Sequence, residues 1–256
     1  MKLLELRDVT KIFGGLLAVN DLSFTVESLS IVGLIGPNGA GKTTVFNCIT
    51  GNYRPDQGII RFQDYDITGL KPHKIVKLGI ARTFQSIRLF GKLPVLENVL
   101  AGHNCRMRAG IFACMFHTPA MRREERAAVQ ASMEELEFVG LQNLYASMAA
   151  SLSYGQQRLL EIARALASRP TLLILDEPAG GMNDQETAEL VQLILAIRKR
   201  GITVLLIEHD MRLVMQICEK LVVLEHGTMI AEGTPEQVKN NPAVVEAYLG
   251  VDDEKW

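Results

Sequence analysis

The chain has 256 residues, with 27 Lys and Arg against 29 Asp and Glu, a formal net charge of −2 and a pI of about 6.2. No excess of positive charge speaks for a nucleic-acid partner, and 48 % apolar residues speak against disorder. The length suits one α/β domain with a sizeable core. Cys48, Cys105, Cys114 and Cys218 form no C-x-x-C pair. That argues against zinc and against a redox dithiol, and it fits a reducing compartment. Glu5, Arg7 and Asp8 interrupt any apolar run that would make a signal peptide. No stretch approaches the ~20 apolar residues of a membrane span. Work at a membrane is therefore expected to be peripheral.

In chain order, Leu3–Val9 and Leu22–Val26 alternate as strands, with Lys11-Ile12-Phe13-Gly14-Gly15 as a loop between them. Phe13 beside two glycines suits either stacking on a flat base or packing under the loop. Leu29 to Ile35 is an apolar run, expected as a buried strand. It leads into Gly36-Pro37-Asn38-Gly39-Ala40-Gly41-Lys42-Thr43-Thr44, which fits G-x-x-x-x-G-K-[ST], and a helix is expected from Lys42 to Thr50 with Gly51 as its stop. Pro55-Asp56-Gln57-Gly58 reads as a turn, Ile59–Phe62 as a strand, Pro72–Leu78 as a short helix and Ile80–Gln85 as a strand. Residues 90–167 are helix-rich. The clearest helix is 118–140, with Thr118 as N-cap, Pro119 at the first position, and Val129, Met133, Leu136 and Val139 on one face. Its Met-Arg-Arg-Glu-Glu-Arg at 121–126 reads as a solvated side. The stretch 102–118 is apolar but aperiodic and is expected to pack in the core, with a contact surface as the alternative. From residue 171 the pattern returns to α/β: strand Leu172–Asp176, helix 184–200, strand Thr203–Ile207, helix 210–218, a hairpin around Gly227, and a helical tail, Thr234 to Leu249, around Pro242. Strand–helix alternation predicts a mostly parallel sheet covered on both faces.

The chemistry follows from a few positions. Glycines let backbone N–H groups converge on phosphate oxygens, and a helix N-terminus adds partial positive charge. Lys42 can reach β- and γ-phosphates, and the Thr43 hydroxyl is placed to ligate Mg²⁺. Asp176 and Glu177 end a buried strand, where the ligand crevice of an α/β sheet lies. Asp176 suits Mg²⁺ held through a water, and Glu177 suits polarising an attacking water. Glu208-His209-Asp210 ends the next buried strand, and the His209 imidazole can contact a γ-phosphate. Ser153 in Leu152-Ser153-Tyr154-Gly155-Gln156 is placed to cap a helix from Gln157 to Ser168.

Phosphate loop, Gln85, Leu-Ser-Tyr-Gly-Gln, Leu-Leu-Ile-Leu-Asp-Glu-Pro and His209 stand in that order at compatible spacings over the whole chain. The set resembles the nucleotide-binding subunit of ABC transporters. The resemblance implies a P-loop NTPase core with a mostly parallel sheet, an antiparallel β-subdomain and a helical subdomain, all in one domain, residues 1–256. Residues 1–89 and 168–256 would form the core and residues 90–167 the helical subdomain. It further implies ATP as substrate, with Phe13 stacking on adenine and Gly36 to Thr44 cradling the phosphates. Mg²⁺ would be held by Thr43, Gln85 and Asp176. Glu177 would be the general base and His209 the switch histidine. Ser153, Gly155 and Gln156 would contact ATP bound to the opposite subunit of a head-to-tail dimer, and Gly180-Gly181-Met182-Asn183 would cross its seam. The partners implied are a second ATPase chain (the same or a sister), two integral membrane permease subunits and, indirectly, a solute-binding protein. The place implied is the cytoplasmic face of the inner or plasma membrane.

Phe13–Val19, Arg82-Thr83-Phe84-Gln85, Tyr154 in Leu-Ser-Tyr-Gly-Gln-Gln-Arg, and the ending from Gly233-Thr234-Pro235-Glu236 to Ala247-Tyr248-Leu249-Gly250 resemble the LivG-type ATPases of branched-chain amino acid importers. ATPases of urea and amide importers are similar and form the alternative. A soluble ABC-type ATPase of DNA repair or translation is the rival. Such proteins usually carry two fused cassettes or zinc insertions, and this chain has one cassette and no metal-spaced cysteines. A P-loop kinase or GTPase has no use for the signature or for His209. Three departures from the wider ABC pattern stand out: Tyr154 for the first signature glycine, Asn183 where many members carry Asp, and Leu29-Ser30 in place of a Gly-Glu turn.

Overall fold

The computed structural model describes residues 1–103, 105 and 119–249. Thr118 and Cys114 lie outside the described residues, as does nearly all of the apolar stretch 102–118. β1 (Lys2–Phe13), β2 (Leu16–Glu27), β4 (Gln57–Phe62) and β5 (Tyr65–Asp66) form an antiparallel sheet in the order β2-β1-β4-β5. A second sheet runs β10 (Thr228–Gly233), β9 (Lys220–Glu225), β3 (Ile31–Ile35), β8 (Thr203–Ile207), β7 (Leu172–Asp176), β6 (Ile80–Arg82). It is parallel except for β10, which returns antiparallel on the edge through the turn at Gly227.

Every residue of β3, β7 and β8 is buried, which is why these strands are continuous apolar runs. Successive side chains point to opposite faces. Ile31, Leu173, Leu175, Val204 and Leu206 enter one core, and Val32, Leu34, Leu172, Ile174 and Leu205 enter another. The first core is covered by α5 (Tyr154–Leu166), α6 (Asp184–Lys199) and α7 (Met211–Ile217), through Leu160, Leu190, Ile194 and Leu213. The second is covered by α1 (Lys42–Ile49) and the antiparallel sheet, through Phe46, Leu4, Phe24 and Ile60. α3 (Val95–His103), α4 (Pro119–Phe138) and α5 pack on one another. α2 (Pro72–Leu78) leads into β6, and α8 (Pro235–Lys239) and α9 (Pro242–Leu249) complete the tail.

Several boundaries differ from the sequence reading. β1 and β2 extend to Phe13 and from Leu16, so only Gly14-Gly15 remains as a turn. The alternation in β1 is broken by register shifts near Leu4 and Val9, with Asp8 at φ 50, so Leu3 and Leu4 are both buried. β6 stops at Arg82, three residues short of Gln85, because the chain leaves the sheet after Thr83, whose N–H still donates to the Ile174 carbonyl at 3.0 Å. In α4 the buried residues are Ala128, Ser132 and Leu136, with Val129 and Met133 only partly covered. Among the described residues, no helix is long and apolar enough to cross a membrane.

Candidate functional site

The phosphate loop lies between the end of β3 and the start of α1. Two of its glycines are set by close approach. A Cβ on Gly36 would fall 2.1 Å from the Leu224 carbonyl oxygen, and one on Gly41 would fall 2.4 Å from that of Ala18. The loop is thus braced by β9 and β2, and the Gly227 N–H donates to the Ala40 carbonyl at 3.0 Å. A Cβ on Gly39, by contrast, would meet nothing within 4 Å. Gly41 is the N-cap of α1 with φ 98 and no side-chain cap, so the first N–H groups of the helix are left to an outside acceptor. Lys42 is buried, and its ammonium donates to the carbonyls of Gly36 at 2.7 Å and Pro37 at 2.9 Å. Burial lowers its pKa, while Glu177 and Asp176 act in the opposite direction.

A cavity of about 460 Å³ runs from Phe13 past Asn38 and Thr44 to Thr43, Gln85 and Glu177. Phe13 is 39 % exposed and meets Tyr53 edge-on at 5.0 Å between centroids, which is the packing expected as one of its two uses. One edge is packed, and the ring still borders the cavity. A neighbouring cavity of about 360 Å³ joins Thr43, Gln85 and Asp176 with Asn47 and Arg82.

β7 delivers Asp176 and Glu177. The Asp176 side chain is 3 % exposed and paired with Arg82 at 2.7 Å. Arg82 also donates to Asn47 Oδ1 at 2.8 Å. Glu177 sits at φ 48, a costly backbone for a residue with a side chain, and its N–H donates to the Ile207 carbonyl at 3.0 Å. Its Oε2 accepts from Gln85 Nε2 at 2.9 Å. His209 Nδ1 is 4.0 Å from Glu177 Oε1, too far for a hydrogen bond, and its side chain is 63 % exposed. The structure therefore gathers Lys42, Thr43, Gln85, Asp176 and Glu177, with His209 at the margin.

Thr43, Gln85 and Asp176 supply only oxygen donors and a single carboxylate. Among the described residues no group of three His, Cys, Asp or Glu could hold a metal alone. That donor set fits Mg²⁺, which usually keeps waters and takes substrate phosphates beside one or two carboxylates. The open space at Gly39, the uncapped α1 and the Lys42 ammonium fit a polyphosphate.

Ser153 caps α5, whose first residue is Tyr154 rather than Gln157. Its Oγ accepts from the Gln156 N–H at 3.3 Å, and Gln156 Oε1 accepts from the Ser153 N–H at 3.1 Å. Gly155 packs against α6, where a Cβ would stand 2.5 Å from Glu186 Oε1. Ser153, Gly155 and Gln156 line neither cavity.

The sequence reading gave no role to Arg82, Arg158, Glu161 or Glu208, although Arg82 and Glu208 stand in stretches it singled out. Glu208 is 1 % exposed and accepts from the N–H groups of Ala179 at 2.9 Å and His209 at 3.1 Å. Burial raises its pKa. For Glu208 the available signal was the same as for Asp176: an acid ending a buried apolar run.

Phosphate loop, strand-end acids and a capped signature helix on this sheet define an ATP-binding cassette. Residues 19–180 match the family described as ABC transporter, and the chain belongs to that family. Residues 228–254 match the description branched-chain amino acid ATP-binding cassette transporter. The chain is similar to the high-affinity branched-chain amino acid transport ATP-binding protein BraF of Pseudomonas aeruginosa, with 49 % identity over 97 % of this chain and 98 % of that one. It is 47 % identical to the protein named LivG of Escherichia coli, over 97 % and 98 %. Among solved structures it resembles the ADP conformation of MJ1267, an ATP-binding cassette of an ABC transporter. The TM-score is 0.86 and the identity 35 %, covering 98 % of this chain and 99 % of that one.

Proposed function

We propose that this chain is the ATP-hydrolysing subunit of an importer of branched-chain amino acids. The observation that carries ATP hydrolysis is the Gln85–Glu177 hydrogen bond at the edge of a cavity floored by the phosphate loop, and branched-chain amino acid import rests on the similarity to BraF and LivG. The N–H groups from Gly36 to Thr44 and the Lys42 ammonium bind the ATP phosphates, and Phe13 stacks on adenine. Thr43, Gln85 and Asp176 would hold Mg²⁺, Asp176 through a water, and the ion would supply positive charge against the phosphoryl group being transferred. Glu177 accepts the proton of the attacking water, held in place by Gln85, and His209 meets the γ-phosphate as the site closes.

Ser153, Gly155 and Gln156 line neither cavity of their own chain and serve the ATP of a second subunit, the same chain or a sister, in a head-to-tail dimer. Residues 90–167 form the helical arm that carries them, and the remainder forms the core. Phe90, Leu93, Tyr145 and Met148 are exposed and joined by main-chain bonds across residues 91–96 and 145–150. This apolar surface beside Gln85 is where the two integral membrane permease subunits dock. They place the cassette on the cytoplasmic face of the inner or plasma membrane, downstream of a solute-binding protein.

Glu177→Gln keeps the shape and loses the base. ATP binding is expected to persist while hydrolysis falls by two to three orders of magnitude or more (roughly the scale of losing a general base), with dimer accumulating on gel filtration in ATP and Mg²⁺. Near-normal turnover would falsify Glu177 as the base.

A further inference from the structure

The loop carrying Gln85 has no regular structure of its own; residues 83–90 run between β6 and the turn before α3. What holds it is α5. Arg158, Glu161 and Arg164 recur every three residues along that helix. The Arg158 and Glu161 side chains are only 5 % and 1 % exposed. Arg158 donates to the Phe84 carbonyl at 2.7 Å and to the Gln85 carbonyl. It also donates to the Tyr154 hydroxyl at 3.0 Å and to Glu161 Oε2 at 3.3 Å. Glu161 Oε1 accepts from the Arg88 N–H at 2.8 Å, and Arg164 donates to the Arg88 carbonyl at 2.5 Å. Three side chains of one helix thus fix both ends of the segment from Phe84 to Arg88. Desolvating a guanidinium and a carboxylate is costly unless their partners are supplied, and here the loop's main chain supplies them.

We propose that Arg158, keyed by Tyr154 and Glu161, is a positioning residue for hydrolysis that acts by holding the Gln85 main chain so that the Gln85 side chain stays on Glu177. It touches neither the phosphate loop nor Glu177. The helix whose capped start carries the signature therefore also carries its own chain's Gln85, and a shift of α5 moves both together. Tyr154 at the usual glycine position then has a reason: its hydroxyl accepts from Arg158. Its ring lies against Gly181, where a Cβ would stand 2.9 Å from Cε1. This inference rests on the ATPase reading above.

The test is a double-mutant cycle on the full-length chain. Arg158→Lys keeps the charge but loses the fork that reaches two carbonyls. Arg158→Lys and Arg158→Ala are compared with wild type in kcat, KM for ATP and thermal unfolding, then remade in Gln85→Ala, with slow variants followed under single-turnover conditions. In wild-type background kcat should fall about tenfold, the scale of a small misplacement of a catalytic group, with KM nearly unchanged. Tyr154→Phe should fall in the same direction by less. In Gln85→Ala the Arg158 changes should cost nothing further. If Arg158→Ala does not fold, Arg158→Lys decides. Equal losses in both backgrounds, no loss in either, or a loss confined to KM would overturn the proposal. Failure of wild type to hydrolyse ATP would instead overturn the function on which it rests.

Discussion

Leu29 has φ 63, a left-handed backbone that costs a residue with a Cβ about 1–2 kcal/mol. It persists because its N–H donates to Thr203 Oγ1 at 2.9 Å and its carbonyl accepts from Arg198 Nε at 2.8 Å. The side chain is half exposed, so little packing is lost with it. Leu29→Gly should stabilise the chain by about 1 kcal/mol in urea unfolding, and a destabilised variant would contradict this. At Glu208, burial raises the pKa above the ordinary 4.5. The folded state therefore holds that proton more tightly than the unfolded state. The contribution to stability is complete below pH 4.5 and is lost as pH rises through the folded value. Glu208→Gln cannot titrate, so the stability of wild type relative to this variant should fall as pH is raised from about 4.5 to 8. A difference that stays flat across that range would refute the shift. Asn183, the second departure, caps α6 through a 2.9 Å bond from the Glu186 N–H, which an aspartate would also accept. The identities of Lys42, Asp176 and Glu177 were legible because each breaks a strong local pattern. Arg82 and Arg158 were not, because their partners lie 94 and 73 or more residues away in sequence.

At the scale of elements, the fully buried strands and the capped helices were the most legible. Leu172–Asp176 and Thr203–Ile207 appear with the expected bounds, because an apolar run ending in acids has few other uses. The segment after β6 differs from the expected strand, since Thr83 still bonds to β7 while the Phe84 and Gln85 carbonyls are held by Arg158 of α5 rather than by a ladder. The same geometry sorts the residues after Gln85. Ser86, Arg88 and Phe90 are exposed, while Ile87 and Leu89 are partly buried and Leu89 packs against the core. Cysteines at Ser86 or Phe90 should therefore crosslink to a permease subunit in assembled transporter, and cysteine at Leu89 should do so poorly. Crosslinks only from the 234–249 tail would place the docking surface elsewhere.

For the molecule as a whole, the α/β class was legible but the strand order was not. β3 lies between β8 and β9, so neighbours in the sheet come from opposite ends of the chain, and local periodicity carries no such pairing. The subfamily signal sits partly in the tail, where Val238, Val244 and Ala247 are buried against the core. No residue of that tail lines either cavity, and the assignment to branched-chain amino acids rests on similarity. The most direct test is uptake of radiolabelled leucine, isoleucine and valine by the native cell with this chain deleted, then restored as wild type or as Glu177→Gln. High-affinity uptake of all three should vanish on deletion, return with wild type and stay absent with Glu177→Gln. Undiminished uptake in the deletion strain, with urea or amide uptake lost instead, would contradict the substrate, and full restoration by Glu177→Gln would contradict an import driven by hydrolysis at this site.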